Sequence, residues 1–266
     1  MRVLIKIGTG VIGPGSQLDR PWLRGKVAEI AALLCRGDEI LLVSSGAVAA
    51  GMEVVGRTER PGDPLELQML SGIGQIPLAT CYQELFREHG VQVAQVLLTH
   101  YNFDTPREER TILRILDSYL SRGMVPVINE NDLVNKEEFD VRGHFTDNDI
   151  LAALVATHVR PDLAVILTNV DGLHAGGAHG PLIPVVERVD DDVRAHASCE
   201  ASPLGLGGML SKVDAAAMMT AQGIDVIVGN GSAALEPLID GSVPRTLFRA
   251  QRRSAARGPS AAMARA

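Results

Sequence analysis

Met124-Val125-Pro126-Val127-Ile128 is an apolar run that leads straight into the polar knot Asn129-Glu130-Asn131-Asp132. A second knot, Thr146-Asp147-Asn148-Asp149, heads the apolar run 150–156. A short run without alternation is a strand covered on both faces, as in a parallel sheet, and polar groups at its end belong to the carboxyl edge where open α/β sheets bind ligands. If both knots converge there, Glu130, Asp132, Asp147 and Asp149 share one cleft. Like charges about 4 Å apart repel by roughly 4 kcal/mol at an effective dielectric of about 20. Cations must join them.

Outward from this strand, the same rhythm fills the chain. Strand-like runs at 3–7, 40–44, 91–98, 124–128, 163–167, 225–228 and 245–248 alternate with helix-period segments at 21–35, 65–88, 107–121, 149–159, 208–222 and 234–239. Pro21 marks a helix start, and Gly37, Gly90, Gly123 and Gly223 stand where helices should stop. Alternation of this kind predicts a mainly parallel open sheet between two helical layers, a three-layer α/β/α sandwich. Two segments break it: 133–145, charged and expected as an excursion over the cleft, and 172–186, a Gly-, His- and Pro-rich stretch expected as an irregular loop or hairpin. Asp190-Asp191-Asp192 is expected to cap a helix.

The chain has 266 residues, 46% hydrophobic but only 3% aromatic, which predicts a Leu, Val, Ile and Ala core in one domain. A net charge of −7 argues against a nucleic-acid partner. No apolar run reaches membrane length, Met1 is followed at once by a strand, and Cys35, Cys81 and Cys199 form no CxxC pair. A cytoplasmic setting is expected. Residues 251–266, with basic, Ala- and Ser-rich composition, read as a disordered tail after a domain at 1–250.

Several turns carry chemistry. Lys6-Ile7-Gly8-Thr9-Gly10 puts a lysine near the end of a buried strand, where packing explains it poorly; it reads either as a snorkelling lysine or as an ammonium fixed over a phosphoryl group. Gly8, Gly10 and Gly13 also match a dinucleotide fingerprint, but Pro14-Gly15 interrupts the required helix and the second strand ends in Ser44-Ser45-Gly46 instead of an acid. Ser44-Ser45-Gly46-Ala47 reads as a helix start, able to hold an anion or merely capped by serine. Gly205-Leu206-Gly207-Gly208-Met209-Leu210-Ser211-Lys212 is a glycine-rich loop opening a lysine-bearing helix; it reads either as a polyphosphate site, though it is not a Walker A loop, or simply as a flexible loop before a helix. Leu167-Thr168-Asn169-Val170-Asp171-Gly172 brings another polar strand end. His174 and His179 lack ligand spacing, and no residue set suggests a protein-held metal.

Together these segments resemble the amino-acid kinase family, most closely its glutamate-phosphorylating branch. The matching pieces are Lys6-Ile7-Gly8-Thr9, 44–51, Gly74-Gln75, 95–99, 125–132, Asp147-Asn148-Asp149, Gly205-x-Gly207-Gly208-Met209-x-x-Lys212 and Thr246-Leu247-Phe248, in family order. The resemblance implies an eight-stranded sheet, with ATP and an amino acid end to end along its carboxyl edge, and phosphoryl transfer to the side-chain carboxylate of glutamate. That reaction opens proline synthesis or a related pathway. Carried over by position, Lys6 and Lys212 would neutralise the transferring group and Asp149 would hold both ammoniums. Ser45, Gly46, Asn129, Asp132 and Asn148 would bind the amino acid. Gly8, Thr168, Asn169, Gly207, Gly208, Met209 and Lys212 would hold the nucleotide, with Mg²⁺ as its counterion. Dimers or tetramers are implied as well. The chain departs from the family in lacking the PUA domain of many members, in Asn169 for Asp, in Thr146 for Gly, in a longer 133–145 excursion and in a 107–121 helix without the Asn-Ala pair. The rival classes are a kinase of another glutamate- or aspartate-like acid, a non-catalytic nucleotide or amino-acid sensor, and a nicotinamide oxidoreductase resting on the glycines alone.

Overall fold

A computed structural model describes residues 1–13, 15–134, 148–177, 180–198 and 208–251. Among them, eight strands form one sheet: β1 (Arg2–Ile7), β2 (Glu39–Ser44), β3 (Val93–Leu98), β4 (Val125–Glu130), β5 (Leu163–Thr168), β6 (Val185–Val186), β7 (Asp225–Asn230) and β8 (Thr246–Phe248). Their order is β3-β4-β2-β1-β5-β7-β8-β6, and every pairing is parallel except β7 with β8. Strand β1 lies between β2 and β5, so the chain builds outward from it first in one direction and then in the other. This is the switch point at which open α/β sheets open a crevice beyond the carboxyl ends of their strands.

Alternate residues of β1 define the two faces. Val3, Ile5 and Ile7 enter one apolar cluster, which contains residues of α2 (Arg20–Cys35), α4 (Pro64–Arg87) and α9 (Leu235–Asp240). Leu4 enters the other, with residues of α5 (Pro106–Leu120), α6 (Asn148–Val159), α7 (Asp191–Ser198) and α8 (Met209–Ala221). Lys6 follows Leu4 by two positions and so faces the second layer. The helix stops fall where glycine marked them: Gly37, Gly90, Gly123 and Gly223 have φ of +89°, +70°, +68° and +85°. Asp190 caps α7 as expected, its Oδ1 accepting from Val193 N at 3.0 Å.

A one-turn α1 (Thr9–Ile12) follows β1, and α3 (Ala47–Val55) follows β2. Helices α3 and α4 touch backbone to backbone. A Cβ on Gly51 would lie 1.9 Å from Leu70 O, and one on Gly74 would lie 1.8 Å from Ala47 O. Only glycine at both places lets α4 lie against the start of α3, which fixes one wall of the cleft.

Two expectations change. Strand β4 does not stop at 128 but runs through Asn129 and Glu130, which pair in register with Leu97 and Leu98. The 172–186 stretch ends in strand β6, which the residue pattern did not separate from the loop and its His174–Leu182 bridge. A two-residue strand is too short to show a period. Most of the 133–145 excursion, the knot residues Thr146 and Asp147, and nearly all of the 251–266 tail lie outside the described residues.

Candidate active site

Lys6 Nζ lies 2.6 Å from Asp149 Oδ1, and Lys212 Nζ lies 3.0 Å from Asp149 Oδ2. The three side chains come from β1 and from the first turns of α6 and α8, two helices packed on the same face of the sheet. Asp149 is fully buried, Lys6 is 3% exposed and Lys212 6%. Burial pushes the Asp149 carboxyl up, yet the two ammoniums outweigh it and hold the group below the usual carboxylate range. A carboxylate in the first turn of α6 also meets the positive end of that helix, whereas Lys212 opposes the positive end of α8 and gains most from Asp149.

On the β2–β4 side, Asn148 Nδ2 reaches Ser45 Oγ at 3.0 Å, Ser44 O at 3.1 Å and Asn129 Oδ1 at 3.1 Å. Asn129 Oδ1 also accepts from Glu130 N at 2.9 Å, so its oxygen serves to hold Asn148. Gly46, with φ +105°, opens α3 without a side-chain cap. Asp132 is half-buried, its Oδ2 accepts from Ser71 Oγ, and its backbone oxygen accepts from Gln68 Nε2 at 3.0 Å. Burial raises the Asp132 carboxyl above its ordinary value; Ser71 and the nearby Arg60 guanidinium offset part of this.

The β5–β7 side is different. Gly8 N donates to Leu167 O at 3.1 Å, which ties the turn after β1 to β5. Thr168 is buried at the end of β5, with Gly231 N donating to its carbonyl at 2.7 Å, while Asn169 and Asp171 are exposed beside it. Asn230 Nδ2 donates to Asp171 Oδ1 at 3.0 Å. Gly208 and Met209 open α8, and Gly207 lies outside the described residues.

Lys6, Lys212 and Asp149 thus form one cluster, Ser45, Gly46, Asn129 and Asn148 a second beside it, and Gly8, Thr168 and Asn169 flank the other side. Ser71, Gln68, Arg60 and Tyr82 belong to no sequence motif, yet Ser71, Gln68 and Arg60 surround Asp132 and Tyr82 bonds to Ser44. Gln68, Ser71 and Tyr82 occupy the inner face of α4 among Leu67, Leu70, Leu78 and Leu85. Polar residues at positions where a helical period demands apolar ones were the available signal.

An anion-suited edge of two buried lysines and glycine turns, on a sheet with its switch point at β1, defines a phosphate-handling α/β protein. The description "Amino acid kinase family" fits residues 1–230, and the chain belongs to that family. As a member it is a kinase. The chain is 40% identical over 255 residues to the glutamate 5-kinase of Deinococcus radiodurans, covering 93% of this chain and 69% of that protein. It is 37% identical over 253 residues to the glutamate 5-kinase of Symbiobacterium thermophilum, with 93% and 95% covered. The glutamate 5-kinase of Marinomonas sp. is 39% identical over 235 residues, which span 86% of this chain and 62% of the relative.

Proposed function

We propose that the chain transfers the γ-phosphoryl group of ATP to the side-chain carboxylate of L-glutamate, giving γ-glutamyl phosphate and ADP. The observation that carries this reading is the buried Lys6–Asp149–Lys212 cluster at the switch point, with the hydrogen-bonded Ser45–Asn148 pair beside it. The names of the similar proteins supply the acceptor. The residues fit ATP. A Cβ on Gly8 would lie 3.1 Å from Leu167 O and 3.6 Å from Lys6 Nζ, so glycine leaves more room for an approach to that ammonium.

ATP supplies the phosphoryl group, and a carboxylate is already a nucleophile, so no side chain has to remove a proton. What the chain contributes is position and charge. Lys6 and Lys212 neutralise the transferring group, and Asp149 fixes both. Asp132 takes the acceptor's α-ammonium, while Ser45, Gly46 and Asn148, held by Asn129, take its α-carboxylate. Gly8, Thr168, Asn169, Gly207, Gly208 and Met209 hold the nucleotide. Mg²⁺, as the counterion of the nucleotide, would add positive charge to that of the two lysines.

Residues 1–250 are read as the catalytic domain and 251–266 as an appended tail. The reading places the chain in the cytoplasm, at the first step of proline synthesis or a related pathway; no helix among the described residues is long and apolar enough to cross a membrane. The outer face of α4 exposes Leu65, Met69, Ile73 and Ile76, which supports self-association.

The direct test is ADP release with glutamate, aspartate and their analogues, with hydroxylamine trapping of the acyl phosphate. Glutamyl hydroxamate is the expected product. A hydroxamate from a different acid would reassign the acceptor, and none from any acid would end the carboxylate-kinase reading.

Asp132→Ala separates the two ends of the site. It is expected to raise KM for glutamate about 10- to 100-fold, the range for a lost charged hydrogen bond, with KM for ATP nearly unchanged. Because the Asp132 carboxyl sits above its ordinary value, wild-type KM for glutamate should also climb in mildly acidic buffer, as the acid form spreads. A defect in ATP alone would show that the acceptor pocket lies elsewhere.

A further inference from the structure

Tyr82 lies in the last two turns of α4, has no exposed surface, and touches neither the lysine cluster nor Asp132. Its phenol oxygen is 2.8 Å from Ser44 Oγ, and Ser44 Oγ is 2.8 Å from the carbonyl oxygen of Ser45. A serine hydroxyl has one hydrogen, and here it goes to the Ser45 carbonyl, so in the other contact the phenol must donate. Burial raises the phenol far above its ordinary pKa, so that hydrogen stays in place. The polarity of the chain is therefore set: Tyr82 to Ser44 to the carbonyl of Ser45.

That carbonyl belongs to the Ser45–Gly46 peptide, and across a trans peptide the C=O and the N–H point in opposite directions. Holding the carbonyl inward turns Gly46 N–H the other way, at the uncapped start of α3. Gly46 has φ +105°, a region where glycine rotates its peptide at little cost, so the orientation needs an anchor. The opposite side of the turn is fixed by Asn148, which donates to Ser44 O and Ser45 Oγ.

We infer that Tyr82 is a positioning residue for the acceptor: through Ser44 it orients the Ser45–Gly46 peptide so that Gly46 N–H is presented to the acceptor's α-carboxylate. This rests on the acceptor pocket proposed above. It places a specificity device in the second layer of the site, in a residue that touches neither substrate.

Tyr82→Phe keeps the ring and its packing against Phe86 and removes only the hydroxyl. Loss of one neutral hydrogen bond should raise KM for glutamate about five-fold, with kcat and KM for ATP within about two-fold of wild type. Ser44→Ala should do the same, and the double variant should be no worse than either single one, because both break one chain. An unchanged KM for glutamate in Tyr82→Phe, additive effects in the double variant, or equal losses toward ATP and glutamate would each overturn the role. These results are read against wild-type turnover. Wild-type protein that forms no hydroxamate removes the function and the positioning role together, whereas active wild type with an unaltered Tyr82→Phe removes the positioning role alone.

Discussion

Lys6→Ala is expected to lower kcat about a thousand-fold while changing glutamate affinity by a few-fold at most. Removing one fixed donor from a site of developing charge costs about 10²–10³ in rate, and Lys6 would supply a full charge in a setting where it is only 3% exposed. Water cannot readily take its place, because the ammonium is enclosed between β1 and the first turns of α6 and α8. The substitution also weakens the fold. It withdraws one of two ammoniums from the fully buried Asp149, and breaking a buried pair costs about 3–5 kcal/mol when the remaining charge is left alone. Lys212 still holds the other oxygen at 3.0 Å, so the loss should fall below that range. Single-turnover kinetics paired with calorimetric titration of glutamate separate the two effects. Folded protein that binds glutamate but transfers no phosphoryl group is the expected result, and near-normal turnover would remove the role assigned to Lys6.

How the site assembles explains which parts of it could be read from sequence. Strand ends were legible because β1, β2, β4 and β5 are short apolar runs that stop in polar residues, and the period change into the helices is sharp. Lys6 stood out for the same reason, as a charge inside an apolar run. The sequence pattern ends strand β4 two residues short because Asn129 and Glu130 look like a loop, although both are buried and paired with β3. What composition and spacing could not provide was convergence. Asp149 and Lys212 are 63 residues apart, and their meeting depends on α6 and α8 sharing a face of the sheet. Ser71, Gln68 and Tyr82 were hidden by a different cause. Each is a polar residue within the apolar stripe of α4, but the pattern does not show what that stripe faces, and only the backbone contact of α3 with α4 at Gly51 and Gly74 brings it against the cleft. The division of the edge into an acceptor side and a nucleotide side came from the resemblance. In the structure Asn148 bonds to Ser45 on the β2 side, and Gly8 bonds to Leu167 on the β5 side.

Asp149→Asn, nearly isosteric but neutral, is expected to be the most damaging change for fold and rate together. Both lysines lose their anion at once, and two ammoniums in a dry space repel each other without an intervening charge. A loss of about 3 kcal/mol or more follows, which lowers Tm by roughly 6–12 °C in a domain of this size. Turnover should fall at least about 100-fold, since neither ammonium is then held where charge develops. The acid side of the stability curve gives an independent check, with its sign fixed by the direction of the shift. In the folded chain Asp149 titrates below its ordinary 3.8, because Lys6 and Lys212 outweigh burial. The unfolded chain therefore binds a proton first as pH falls, and the stabilisation from this group is complete above that ordinary value and lost as pH drops through the folded one. Urea melts of wild type and Asp149→Asn between about pH 6 and pH 2.5 should show a gap that is widest at the neutral end and narrows below about pH 4. Asp132, shifted the opposite way, favours the fold when protonated and acts with the opposite sign, so it cannot produce that narrowing in a comparison where it is present in both proteins. A gap that stays constant to the acid end would mean that ionised Asp149 is not what holds Lys6 and Lys212 together.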